Sequence, residues 1–123
     1  MAKTLDDLVA AALTSVREVT VEQLEDLAGY TVLDVREQDE FDAGHIPGAV
    51  HIPRGFIEVK ADHHHPKKDE RLQDRSKKIV TYCGGGLRSA LAAQTMQGMG
   101  FEEVVSLKGG WAAYSDSSRP IER

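Results

Sequence analysis

The chain holds one cysteine, Cys83, and it stands where an apolar run meets three glycines: Ile79-Val80-Thr81-Tyr82-Cys83-Gly84-Gly85-Gly86-Leu87-Arg88-Ser89. Those residue types suit a sulfur nucleophile. Gly84, Gly85 and Gly86 lack a Cβ, so the backbone can take positive φ values and turn its amides toward an anion. The helix expected from Leu87 onward points its unpaired N–H groups and partial positive charge back at the sulfur. Arg88 adds a fixed cation with five donors, able to brace the loop or meet an anionic substrate. Such surroundings lower a thiol from its usual pKa of about 8.5, and a fall of roughly two units would favour thiolate by about 2.7 kcal/mol. The alternative is a buried structural cysteine, the commoner fate of a lone thiol. Three glycines and an arginine serve no purpose beside such a thiol, so the pattern favours the nucleophile.

The elements that must position this loop follow from periodicity. Ile79 to Cys83 is expected as the central strand and Leu87 to Met99 as a long helix ended by Gly98 and Gly100. Thr31 to Val35, Ala49 to Ile52 and Val104 to Leu107 are further strands by their β-branched content, and Arg17 to Val19 a short edge strand. Thr4 is placed to cap a first helix with an apolar stripe of Leu5, Leu8, Val9, Ala12 and Leu13. Thr20 with Gln23 reads as a capping box opening a helix through Val21, Leu24, Leu27 and Ala28. Glu37 to Ala43 is a polar helical turn closed by Gly44, Pro47-Gly48 a tight turn, and Arg54 to Lys60 an amphipathic helix. Ala61 to Lys78 reads as an exposed polar loop with a helical turn near Arg71 to Asp74. A short helix, Trp111 to Tyr114, follows Gly109-Gly110. Strands alternating with helices over short connections give an α/β domain, a parallel sheet with helices on both faces. Ligands of such sheets sit at the carboxyl ends of the strands, where Cys83 falls.

Composition narrows the partners. At 123 residues the chain has room for one domain, and 41% hydrophobic with 28% charged residues describes an ordinary soluble globular protein. Fifteen basic against twenty acidic residues give a formal charge of −5, which argues against nucleic acid as a partner. No apolar run is long enough to span a bilayer, and Asp6 and Asp7 fall where the apolar region of a signal peptide would begin, so a cytoplasmic protein without a membrane partner is expected. A single cysteine forms no intramolecular disulfide and suits a reducing compartment. His63-His64-His65 is expected as a solvated loop run without the spaced ligands of a structural zinc site, and no metal or organic cofactor is expected. No Gly-Lys-Ser/Thr follows the glycines, so they are not a phosphate-binding P-loop. His45 and His51 are expected in turn and strand-end roles, and Trp111 in packing.

Cys83-Gly84-Gly85-Gly86-Leu87-Arg88-Ser89 resembles the active-site loop of single-domain rhodaneses, the thiosulfate:cyanide sulfurtransferases. Leu33-Asp34-Val35-Arg36-Glu37, Glu40-Phe41 and Gly44-His45-Ile46-Pro47-Gly48-Ala49 are similar to that family's amino-terminal signature, and Gly109-Gly110-Trp111 to its carboxyl-terminal one. The resemblance runs from about Val19 to Tyr114. It implies a rhodanese-like, five-stranded parallel sheet over residues 19–114, preceded by an N-terminal helical extension (1–18) and followed by a polar C-terminal tail (115–123).

The resemblance also implies a reaction. Cys83 would take a sulfane sulfur from a small anionic donor, thiosulfate or a persulfide, and pass it to cyanide or a thiol, or to a sulfur-relay protein. Gly84, Gly85, Gly86, Leu87 and Arg88 would bind the substrate, their amides holding the anionic persulfide. Asp34 and Arg36 are assigned a supporting role, through ion pairs with Arg88 or Glu40; a structural ion pair unrelated to turnover is the equal alternative. Some thiosulfate-using members carry extra cations within the loop; here it is uncharged up to Arg88, which leaves a persulfide donor as well supported as thiosulfate. Two rival readings stand beside this one. A sulfur-carrier or sensing module would hold the persulfide with little turnover. A cysteine phosphatase would place one residue more between cysteine and arginine than the four here.

Overall fold

The β-branched runs pair as strands of one sheet. In the computed structural model, which describes residues 2–123, these are β1 (Arg17–Val19), β2 (Thr31–Asp34), β3 (Val50–His51), β4 (Ile79–Tyr82) and β5 (Val104–Leu107). Their order is β1-β5-β4-β2-β3 and every pairing is parallel. Among the described residues five α-helices connect or flank them: α1 (Leu5–Ala12), α2 (Gln38–Ala43), α3 (Ile57–Ala61), α4 (Leu87–Gly98) and α5 (Gly110–Ser115). β4 is the central strand and is buried along its whole length, as its unbroken apolar reading requires of a strand covered on both faces.

Pleating sends alternate residues to opposite faces. Leu33, Val35, Ile79, Cys83 and Val104 pack with Ile57, Ala61, Ala92, Ala93 and Met96, the face covered by α3 and α4. Val80, Tyr82, Val105 and Leu107 pack with Ile46 and Tyr114 on the other face, beside α5. Thr81 and Ser106, register partners on β4 and β5, occupy the intervening positions and therefore face α4. The Thr81 hydroxyl accordingly donates to the Ser89 carbonyl of α4 at 2.9 Å. Two polar side chains thus lie on the otherwise apolar face beneath Cys83.

Several local expectations are altered by packing. Thr4 and Asp7 form a capping box at α1, yet of the predicted stripe Val9 and Ala12 are buried, against Ala90 of α4, while Leu5, Leu8 and Leu13 are exposed. The helix rests on the outer side of α4, which covers a narrow line of it. Thr20 and Gln23 also make their box, at 2.8 and 3.3 Å, but Glu22–Asp26 winds as a 3₁₀ turn that lays Leu24 and Leu27 onto the sheet. The segment after β3 starts as a 3₁₀ turn, Arg54–Phe56, before α3. The loop from 61 to 78 is tied down: Leu72 is buried in the core, and the Arg75 guanidinium donates to the carbonyls of Ala61, Leu72 and Met99 at 2.6–2.9 Å. Beyond α5 the chain returns to the domain, where His45 and Glu122 exchange main-chain hydrogen bonds of 2.9 Å.

Candidate active site

Cys83 is the first residue past the carboxyl end of β4, and its sulfur is surrounded by donors from the turn into α4. The Gly86 amide donates to Sγ at 3.1 Å and the Ser89 amide at 3.4 Å, with the Ser89 hydroxyl 3.5 Å away. Gly86 reaches this position at φ +106, in a region that a Cβ disfavours. What keeps the loop's amides inward is the start of α5. The amides of Trp111 and Ala112 bind the carbonyls of Cys83 and Gly84 at 2.7 and 3.0 Å, holding those oxygens on the side away from the sulfur. Gly110, at φ +53, passes so close that a Cβ there would overlap the Cys83 carbonyl. These contacts use up N–H groups that a helix start otherwise leaves unpaired.

Burial pushes the Cys83 thiol up, but the Ser89 hydroxyl and amide, with the amides of Gly86 and Gly85, outweigh it and leave the thiol below its ordinary value. The residues expected to bind substrate divide accordingly. Gly86 and Gly85 turn their amides to the sulfur, Gly84 lies against Arg88, and Leu87 is exposed. From sequence a nucleophile stands against a buried structural cysteine; in the fold Cys83 is 1% exposed, at the bottom of the turn, and yet ringed by amides that favour its charge and also close over it.

Arg88 is about a third exposed, but its guanidinium does not stand free. Its guanidinium makes a two-pronged pair with Glu40 of α2, at 2.9 and 3.2 Å, across 48 residues of sequence. The first cause of Arg88 being held above the ordinary guanidinium value is that pair, with Cys83 adding to it. The Arg88 guanidinium and the Glu37 amide in turn hold the Glu40 carboxyl down to about 2.

Asp34 and Arg36 correct the expected pairing: neither meets Arg88 or Glu40, and they pair with each other. Arg36 Nη2 and Nε lie 2.8 and 3.1–3.2 Å from the Asp34 carboxylate, and Arg36 Nη2 also donates to the Gly44 carbonyl at 2.8 Å. Both residues are buried, and the guanidinium stacks over Trp111 at 4.8 Å and Tyr82 at 5.4 Å. The pair turns toward the α5 face, where aromatic rings shield it, while Glu40 alone projects to the Cys83 loop. Arg36 therefore links the end of β2 to α2 and α5, the latter being the helix whose amides hold the Cys83 loop.

Ser89, Glu40, Gly110 and Trp111 carry this site without having been assigned to it from sequence. Each stood inside a quoted motif, so the signal was present, but their partnerships span folds of the chain that spacing does not reveal. His45 and His51 hold backbone: His45 Nδ1 lies 2.9 Å from the Phe41 carbonyl and His51 Nε2 2.8 Å from that of Arg36. In the histidine run, His63 Nδ1 lies 2.7 Å from Gln73 Oε1 and His65 Nδ1 accepts from the Lys67 amide at 3.0 Å.

Comparison with known proteins bears on the family and the fold. The Rhodanese-like domain family matches residues 20–117. A candidate sulfur carrier protein of Bacillus subtilis, YrkF, is 38% identical over 79 residues, covering 64% of this chain and 38% of that protein. The tRNA uridine(34) hydroxylase of Escherichia fergusonii is 35% identical over 88 residues, covering 71% of this chain and 24% of the enzyme. The chain thus spans well under half the length of these relatives. Among solved structures, a protein of unknown function from Rhodopseudomonas palustris, described as a possible tyrosine phosphatase, superposes with a TM-score of 0.91 at 33% identity, covering 99% of this chain and 96% of that one.

Proposed function

The chain belongs to the rhodanese-like domain family, and from that premise we propose that it is a sulfurtransferase working through a persulfide on Cys83. The observation that carries this reading is the ring of donors around Sγ, two amides and a hydroxyl at 3.1–3.5 Å, which favours an anionic sulfur. The Cys83 thiolate attacks the outer sulfur of thiosulfate or the terminal sulfur of a persulfide. A Cys83 Sγ–S bond forms as the donor's S–S bond breaks, and the electron pair leaves on sulfite or on the donor's thiolate. An acceptor, cyanide or a thiolate, then attacks the terminal sulfur, and Cys83 departs as thiolate. Gly86 and Ser89 hold the negative charge on sulfur before the transfer and after it, much as an oxyanion hole holds oxygen. Arg88, tied to Glu40, fixes the curvature of the loop. This chemistry needs no metal or organic cofactor, and a free thiol nucleophile fits the reducing cytoplasm.

The likeness to YrkF supports a second reading of the same residue, a carrier that accepts sulfur and hands it to a relay protein. One experiment separates the readings. The protein is mixed with thiosulfate or a small thiol persulfide, its mass is measured, and turnover with cyanide or a thiol is followed beside a generic aryl phosphate. A mass gain of one sulfur with turnover, both lost in Cys83→Ser while the fold is kept, is the expected result. Sulfur uptake without turnover would make the chain a carrier. Phosphate release abolished by Cys83→Ser, without sulfur uptake, would make it a phosphatase and overturn the proposal.

A further inference from the structure

Ser89 Oγ stands between two other polar atoms, 3.5 Å from Cys83 Sγ and 2.8 Å from Ser106 Oγ. Ser106 is fully buried on β5, and among the described residues its hydroxyl makes no other hydrogen bond. The third hydroxyl of this layer, Thr81, is committed elsewhere, to the carbonyls of Ser89 and Val105. Sγ, Ser89 Oγ and Ser106 Oγ therefore form a closed row of three atoms with two contacts. We infer that Ser106 is a positioning residue for the transfer reaction: its proton goes to Ser89, which leaves the Ser89 proton to point at the sulfur of Cys83. The inference rests on Cys83 being the nucleophile.

The argument is one of proton number. Each contact in the row accommodates one proton. With a neutral thiol the row holds three, from Sγ, Ser89 and Ser106, and one of them lacks an acceptor. With a thiolate it holds two, and both contacts are filled, Ser106 to Ser89 and Ser89 to sulfur. A buried polar group without a partner is costly, so the row favours the ionised form. That count holds for the Cys83–Ser89 contact with or without Ser106; what Ser106 adds is polarisation, since by donating to Ser89 Oγ it makes the Ser89 hydroxyl a stronger donor to the sulfur. Charged groups around the loop contribute less, since each is matched nearby: Arg88 by Glu40, and Arg36 by Asp34. The neighbouring helix α5 offers amides, already bound to the carbonyls of Cys83 and Gly84.

Removing the Ser106 hydroxyl leaves Ser89 Oγ without its donor, so the Ser89 hydroxyl is a weaker donor to the sulfur. The test is the ultraviolet absorbance of the thiolate titrated against pH, with Cys83→Ser as blank; the lone cysteine makes the signal unambiguous. Ser106→Ala is expected to lower the thiolate fraction below the midpoint about three- to tenfold, the effect of one neutral hydrogen bond. Ser106→Thr restores the parent curve and Ser106→Val, of the same shape without the hydroxyl, does not; this pair decides the matter should Ser106→Ala fold poorly. A titration unmoved by loss of the hydroxyl overturns the inference, whatever happens to the melting temperature. A moved titration in a protein that transfers no sulfur would sink the proposed reaction and leave the hydroxyl row standing.

Discussion

Gly110 packs its α-carbon against the carbonyl of Cys83, although 26 residues of sequence lie between them. A Cβ at Gly110 would overlap that oxygen and would also come within 3.0 Å of the Gly84 carbonyl carbon. Because these are backbone atoms, nothing flexible can move aside. Gly110→Ala should cost roughly 2–5 kcal/mol, combining overpacking with the positive φ. Urea unfolding reads this directly, with Gly29→Ala, which meets nothing within 4 Å, as the near-neutral control. Equal midpoints for the two variants would refute the close approach.

Asp34 and Arg36 form a pair buried beneath Trp111, and removing one partner leaves the other charged and unmatched. Arg36→Ala or Asp34→Ala should each destabilise the fold by about 3–5 kcal/mol. The double variant should be less damaged than the sum of the two, which thermal or urea unfolding of the four proteins would check. Additive losses would mean that the residues act independently.

The Arg88–Glu40 pair carries a pH signature. In the fold the Glu40 carboxyl lies at about 2 against an ordinary 4.5, so it binds its proton less readily than in the unfolded chain. The resulting stabilisation is complete above pH 4.5 and is lost as pH falls through about 2. Both side chains are about a third exposed, so solvent screening holds the contribution to roughly 1 kcal/mol or less. The gap in unfolding midpoint between the parent and Glu40→Gln should therefore be constant at neutral pH and narrow on acidification. A gap that stays level down to the acid limit would count against the pair. Arg88→Lys should lose much of the effect, since an ammonium cannot make both contacts at once.

Burial of Cys83 predicts selectivity by size. Small alkylating reagents should modify it in preference to bulky maleimides by an order of magnitude or so, with rates that rise through the thiolate titration. A mass measurement after timed exposure settles it. Equal rates would show an open thiol. No modification by any reagent would mean the sulfur is sealed off, and the nucleophile would then be lost along with the proposed function.

The sequence by itself determined the α/β alternation, the place of the central strand, the glycine turn and the single sulfur at its end. Each of those is written in neighbours a few residues apart: β-branched runs, a capping box at Thr4, glycines where the chain must turn. Even so, local signals overstated the first helix's buried stripe and the helix after Thr20, because the surface each lands on decides how much of it is covered. Tertiary structure alone decided the partnerships. Ser89 meets Ser106 because β5 lies beside β4, and Arg88 meets Glu40 because the parallel crossovers bring α2 to the end of the sheet that carries the Cys83 loop; Asp34 and Arg36, two residues apart, pair locally, and what the fold adds is the cover of Trp111 and Tyr82 over the guanidinium. The physical reason is that a residue's preference for strand, turn or helix acts through its own backbone, whereas the partner of a buried charge or hydroxyl is fixed by which strands lie side by side.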